Sequence, residues 1–145
     1  MQTDGSDLVA RLFAQEVPEI ALGLIEIKAI ARDPGYRCKL AVRSHDPAVD
    51  CVGTCVGVRG ARIKNVVDAL DGERIDIVRW NDAPEQLIRN ALQPAAIEQV
   101  LLQPARHRAT VIVKADQASL ARGRRNLNRE LASRFSGWQI EIEQS

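Results

Sequence analysis

One pattern runs twice through this chain. In the first copy a short helix-like stretch, Cys51-Val52-Gly53-Thr54-Cys55-Val56, runs into Gly57-Val58-Arg59-Gly60. A second apolar stripe at helical spacing follows, made of Ile63, Val66, Val67 and Leu70. In the second copy residues 117–121 lead into Gly123-Arg124-Arg125-Asn126, and residues 127–135 form the next stripe. Each copy has two strand-like runs before this core and one after it. A repeat of a single supersecondary unit limits the chain to two similar α+β domains, and we place them at residues 1–80 and 81–145.

The turn itself has a chemistry. Glycines at 57 and 60 carry no Cβ, so the backbone there can approach something bulky. The N–H groups at the start of the next helix point outward, where the helix dipole favours an anion. Arg59, Arg62 and Lys64 add positive charge at the same place. A G-x-x-G turn of this kind is the loop with which KH domains clamp about four nucleotides of backbone. The spacing alone is weak, because any tight helix–helix turn could carry it.

The surrounding residues are more specific. Residues 44–63, with His45-Asp46-Pro47, Asp50-Cys51-Val52-Gly53 and the glycine loop, continue into Gly72-Glu73-Arg74-Ile75-Asp76-Ile77-Val78-Arg79-Trp80. Together with Glu16-Val17-Pro18-Glu19-Ile20 and residues 23–31, this stretch closely resembles the first KH domain of the NusA family of transcription factors. The resemblance continues to the C-terminus. It implies two type II KH domains, each in α-β-β-α-α-β order, that bind single-stranded RNA in transcription elongation, termination or antitermination. It also implies RNA contacts at Gly57, Val58, Arg59, Gly60, Arg62, Ile63 and Lys64. In the second copy the turn Gly123-Arg124-Arg125-Asn126 corresponds, and the basic cluster that Arg122 and Arg129 complete around it is read as the contact set there. RNA polymerase and other transcription factors are the protein partners it suggests. Bacterial NusA has further polymerase-binding and barrel domains for which there is no room here. The expectation is therefore a stand-alone pair, as in archaeal relatives, or an excised one, with direct polymerase attachment in doubt.

The second copy departs from that pattern. Asn126 stands at the second glycine, and Arg122 and Arg129 stand where apolar residues are expected. Asparagine is the non-glycine residue best able to enter the left-handed region, so the turn can persist. We read this copy as a unit that grips phosphate with altered base selection; the alternative is a degenerate repeat whose arginines are a solvated face. Replacing Gly57 and Gly60 by Asp is expected to repel phosphate while leaving the fold largely intact.

Composition sets limits on other readings. The net charge is +1, with 11 basic and 12 acidic groups in residues 1–80 against 9 and 7 in residues 81–145, so RNA must be held by local patches. Aromatic residues make up 3%, which argues against a stacking platform. No apolar run nears the ~20 residues that span a bilayer, and the polar N-terminus lacks the build of a secretory signal. A cytoplasmic monomer with no membrane contact is expected. Cys38, Cys51 and Cys55 are an odd set without zinc spacing and read as buried thiols. Ser119 and Ser133 lack a partnered histidine, and His45 and His107 lie in turns, so no catalytic residue, metal or cofactor is assigned. The alternatives to a transcription role are ribosomal RNA maturation and a protein-interaction adaptor that has lost RNA affinity.

At the level of elements, Leu8, Leu12 and Phe13 predict the inward face of a first helix. Residues 24–31 predict a strand with Ile25 and Ile27 opposite Glu26 and Lys28. Residues 36–43 alternate Cys38, Leu40 and Val42 against Arg37, Lys39, Ala41 and Arg43, a basic face that either tracks phosphate or is solvated. Asp50 and Asp116 are the expected helix N-caps in the two copies.

Overall fold

The computed structural model describes residues 5–145. The chain divides between Trp80 and Asn81 into two compact units. The first contains α1 (Ser6–Glu16), α2 (Pro18–Ala21), β1 (Ile25–Asp33), β2 (Arg37–Ser44), α3 (Cys51–Val56), α4 (Ala61–Ala69) and β3 (Arg74–Arg79). The second contains α5 (Pro84–Ala91), β4 (Gln99–Gln103), β5 (Arg108–Val113), α6 (Ala115–Arg122), α7 (Leu127–Ser136) and β6 (Gln139–Gln144). Each unit has one three-stranded sheet, ordered β1-β2-β3 and β4-β5-β6. The first pair of strands is antiparallel and the second pair parallel. This mixed α+β order is the one the repeat predicts.

In the first unit the core gathers Val9, Phe13, Val17, Ile25, Leu40 and Val42 with Cys38, Cys51 and Cys55. The first helix turns differently from expectation. Val9 and Phe13 are fully buried and four apart, Leu12 packs beside them, and Leu8 is 43% exposed. Val9 and Phe13 continue in step to Val17, and that spacing sets the helix face. In β1 the expected alternation holds for Ile25 and Ile27, but the pairing shifts between Ile27 and Ala29. Ile30 then faces the same core.

Most of the expected basic face of β2 is buried rather than solvated; of its basic residues only Arg43, near the strand's end, is half-exposed. β2 is the central strand, and Arg37 and Lys39 are 7% and 0% exposed. Both are ion-paired to Asp76 on β3, Arg37 at 2.7 Å and Lys39 at 2.9 Å. A second buried pair closes the same end of this sheet, beside the β1–β2 turn. Arg32 Nε donates to both carboxylate oxygens of Glu73, at 3.1 and 2.9 Å, and the Gly35 N–H donates to the same group at 2.9 Å.

In the second unit Leu87, Ile88, Val111, Leu131, Phe135 and Ile140 are among the buried set. Asn81 Oδ1 accepts the Ala83 N–H at 2.8 Å, and Pro84 opens α5, where its missing N–H costs nothing. Asp116 is not a cap. α6 starts two residues earlier than that cap requires, at Ala115, and Asp116 lies in its first turn. Among the described residues no helix is long and apolar enough to cross a membrane.

Candidate nucleic-acid interface

Asp50 caps α3, accepting the Gly53 N–H at 3.2 Å, and also receives Arg79 Nη2 at 2.7 Å. These interactions hold its carboxyl below the ordinary value, Arg79 contributing most. α3 then stops at Gly57, whose φ of 81° and ψ of 172° lie in a region open essentially to glycine alone. Arg59 follows at φ 55°, ψ 26°, and Gly60 at φ 73°, ψ 18°, both left-handed, before α4 begins. The Gly60 N–H donates to the Gly57 carbonyl at 3.1 Å and closes the turn.

The second turn follows the same path. Gly123 has φ 74° and ψ 172°, Arg125 φ 58° and ψ 26°, and Asn126 φ 62° and ψ 18°. The Asn126 N–H donates to the Gly123 carbonyl at 3.1 Å, matching Gly60 to Gly57. Asparagine thus supplies at 126 the left-handed conformation that glycine supplies at 60.

Each turn is braced from the same position of its second helix, by a different side chain. Arg62 Nη1 donates to the Thr54 carbonyl at 3.0 Å and to Glu19 Oε1 at 3.1 Å. Asn128 stands in the matching place, fully buried, with Nδ2 donating to Leu120 and Ala121 carbonyls at 3.2 and 2.9 Å. Neither bracing role was visible in the sequence, because Arg62 read as a phosphate contact and Asn128 as an ordinary helix residue.

The expected contact residues therefore fall into two groups. Val58 is 83% exposed at the tip of the first turn. Arg59 and Arg124 are exposed, and their side chains make no hydrogen bond or ion pair among the described residues. Arg125 is exposed beside Arg124, and Lys64 is exposed and paired at 2.9 Å with Asp68 one turn along its helix. Ile63 is half-buried and packs on the core. Arg62, Arg122 and Arg129 are engaged with the protein itself. Arg122 donates to the Ile142 carbonyl at 3.1 Å, and Arg129 donates to the Ile140 carbonyl at 2.9 Å and pairs with Glu130 at 3.2 Å.

Elsewhere the thiols are buried, and desolvation pushes Cys55 up to about 12. Among the described residues no group of three or more His, Cys, Asp or Glu side chains is placed to hold a metal.

Two sheets of this topology, each carrying a helix–turn–helix with a left-handed four-residue turn, define a pair of KH domains. The NusA-like first KH domain profile matches residues 3–80 and the NusA-like second KH domain profile residues 84–145, and the chain belongs to that family. It is 48% identical over 138 residues to the transcription termination/antitermination protein NusA of Thermus thermophilus, covering 95% of this chain and 36% of that protein. It is 46% identical to the protein of the same name from Bacillus subtilis, covering 94% and 37%. The chain thus spans about a third of the length of these relatives. The crystal structure of APE1850 has the same fold, with a TM-score of 0.66 at 19% identity over 94% of this chain and 95% of that one.

Proposed function

We propose that this chain binds single-stranded RNA through its two turns and serves in transcription termination or antitermination, without catalysing a reaction. The relatives' names supply the process, and the loop supplies the chemistry. The observation that carries the reading is the first turn. Its backbone is held open by glycines at 57 and 60, and it displays Val58 and an unpaired Arg59 to solvent. A sugar-phosphate backbone fits such a place, being both bulky and negative.

The test is a single substitution. A Cβ at Gly60 meets nothing closer than Ile63 Cγ2 at 3.8 Å, and Asn126 already occupies the matching conformation in the second turn. Gly60→Asp should keep the fold and weaken binding of single-stranded RNA by tenfold or more, which is about 1.4 kcal/mol. Gly60→Asn adds similar bulk without charge and should lose less. If Gly60→Asp binds as the parent does, with an unchanged circular dichroism spectrum, the loop is not the site. Crosslinking to RNA in cells and sequencing the attached species separates nascent transcripts from ribosomal RNA.

A further inference from the structure

The two units differ at the outer edge of the last strand. In β3 alternate residues turn toward β2, as Arg74 N–H to the Tyr36 carbonyl and Trp80 N–H to the Val42 carbonyl show. Ile75 and Ile77 therefore turn their N–H and C=O groups to the open edge. Among the described residues nothing occupies them there. α3 and α4 pack against this strand, and the residues that flank the edge are Val56, Ile63 and Val67, all half-buried and apolar.

In β6 the same edge belongs to Ile140 and Ile142. There the three matching positions are Arg122, Arg129 and Ser133, and all three are aimed at it. Arg122 donates to the Ile142 carbonyl at 3.1 Å, Arg129 to the Ile140 carbonyl at 2.9 Å, and Ser133 Oγ accepts the Ile140 N–H at 3.1 Å. Where the first unit has three apolar residues, the second has three polar ones that bond the Ile140 N–H, the Ile140 C=O and the Ile142 C=O from within the domain.

We infer that the second unit's strand edge is sealed against bases by Arg122, Arg129 and Ser133, so that base reading is confined to the first unit. A nucleobase needs hydrogen-bond partners for its edge, and the backbone N–H and C=O of an open strand are such partners. Ile75 and Ile77 offer them beside the first turn. At β6 a base would have to displace two guanidinium groups, whose charge-assisted bonds are the stronger kind. Arg122 and Arg129 then serve as specificity-determining residues by exclusion, and Arg124 and Arg125 remain as the second turn's contribution of charge.

This inference rests on the RNA-binding reading, and NMR on the whole chain keeps the two separable. ¹⁵N-labelled protein is titrated with single-stranded oligo(A), oligo(C) and oligo(U). In the parent, the amide resonances of residues 58–60 and of Ile75 and Ile77 should shift, while those of Ile140 and Ile142 should not. In Arg122→Val/Arg129→Ile/Ser133→Val, which copies the first unit, Ile140 and Ile142 should shift as well. Should the triple variant lose its dispersed spectrum, Arg129→Ile alone should still bring Ile140 into the response. Shifts at Ile140 and Ile142 in the parent, or none in a folded variant, overturn the seal. Silence at residues 58–60 in the parent overturns the RNA-binding reading instead, and the variant's β6 response still decides the seal.

Discussion

Asp76 accepts Arg37, Lys39 and Arg74 at once, and a single carboxylate cannot neutralise three cations. Burial pushes Asp76 up, but the surrounding positive charge outweighs it and holds the carboxyl below its ordinary value. Lys39 has no exposure, and burial brings it from 10.5 down to about 8 despite the charge and hydrogen bond of Asp76. The two partners point opposite ways, since the pair favours the carboxylate while desolvation disfavours the ammonium. The lysine is lowered all the same, because desolvation of its ammonium outweighs Asp76, and the positive charge of Arg37 and Arg74 adds to the lowering. Between pH 8 and 10.5 the unfolded chain keeps a proton that the folded chain releases, so this group makes stability rise with pH across that window. Below pH 8 its buried charge is a cost. Lys39→Met removes the charge and leaves Asp76 its two arginines. The variant's stability relative to the parent should fall by about 1–3 kcal/mol from pH 7.5 to 10.5 in urea titrations, since a tenfold change in proton affinity corresponds to about 1.4 kcal/mol. A difference that stays flat with pH would remove Lys39 as the cause.

The helix–turn–helix element shows what a sequence can and cannot disclose. Gly57, Gly60, Gly123 and Asn126 were legible because a left-handed turn admits few residue types, and the order of elements was legible from two hydrophobic periods. Which arginines face outward was not. Arg59 and Arg62 look alike in sequence, yet one is solvated and the other fixes the end of α3. The burial of Arg37 and Lys39 was hidden for a related reason. β2 is buried on both faces from Arg37 to Val42, whereas alternating polarity suggests a half-solvated strand. The two glycines also proved unequal, so the expectation that Asp is tolerated at both fails at 57. A Cβ there would lie 2.8 Å from Arg62 Cγ and 3.0 Å from the Arg62 backbone nitrogen, on a backbone that only glycine adopts readily. Gly57→Ala should therefore cost about 1–3 kcal/mol of stability, whereas Gly60→Asn should cost under about 1 kcal/mol. Equal costs in chemical denaturation would mean that the turn relaxes around both.

At the scale of the whole molecule, a net charge of +1 offers no long-range attraction for RNA, so the salt dependence of binding should count local contacts alone. Seven basic residues flank the two turns in sequence, but Arg62, Arg122 and Arg129 are bonded to the protein's own carbonyls. Arg59, Lys64, Arg124 and Arg125 are the exposed ones. Lys64 must share its charge with Asp68, and hydrogen bonding to that carboxylate raises its pKa. About two to four phosphates can then be neutralised, and for a single strand the log–log slope of affinity against salt should be roughly −1.5 to −3. Arg124→Ala/Arg125→Ala should flatten the slope by about 1.4 and weaken all sequences alike, because phosphate contacts carry no base information. Arg122→Val, by contrast, should leave the slope nearly unchanged, since its guanidinium is bound to the Ile142 carbonyl and not to solvent counterions. A parent slope steeper than about −4 would mean that the strand-bound arginines leave their carbonyls for phosphate. A slope near zero would favour an adaptor that binds protein instead of RNA.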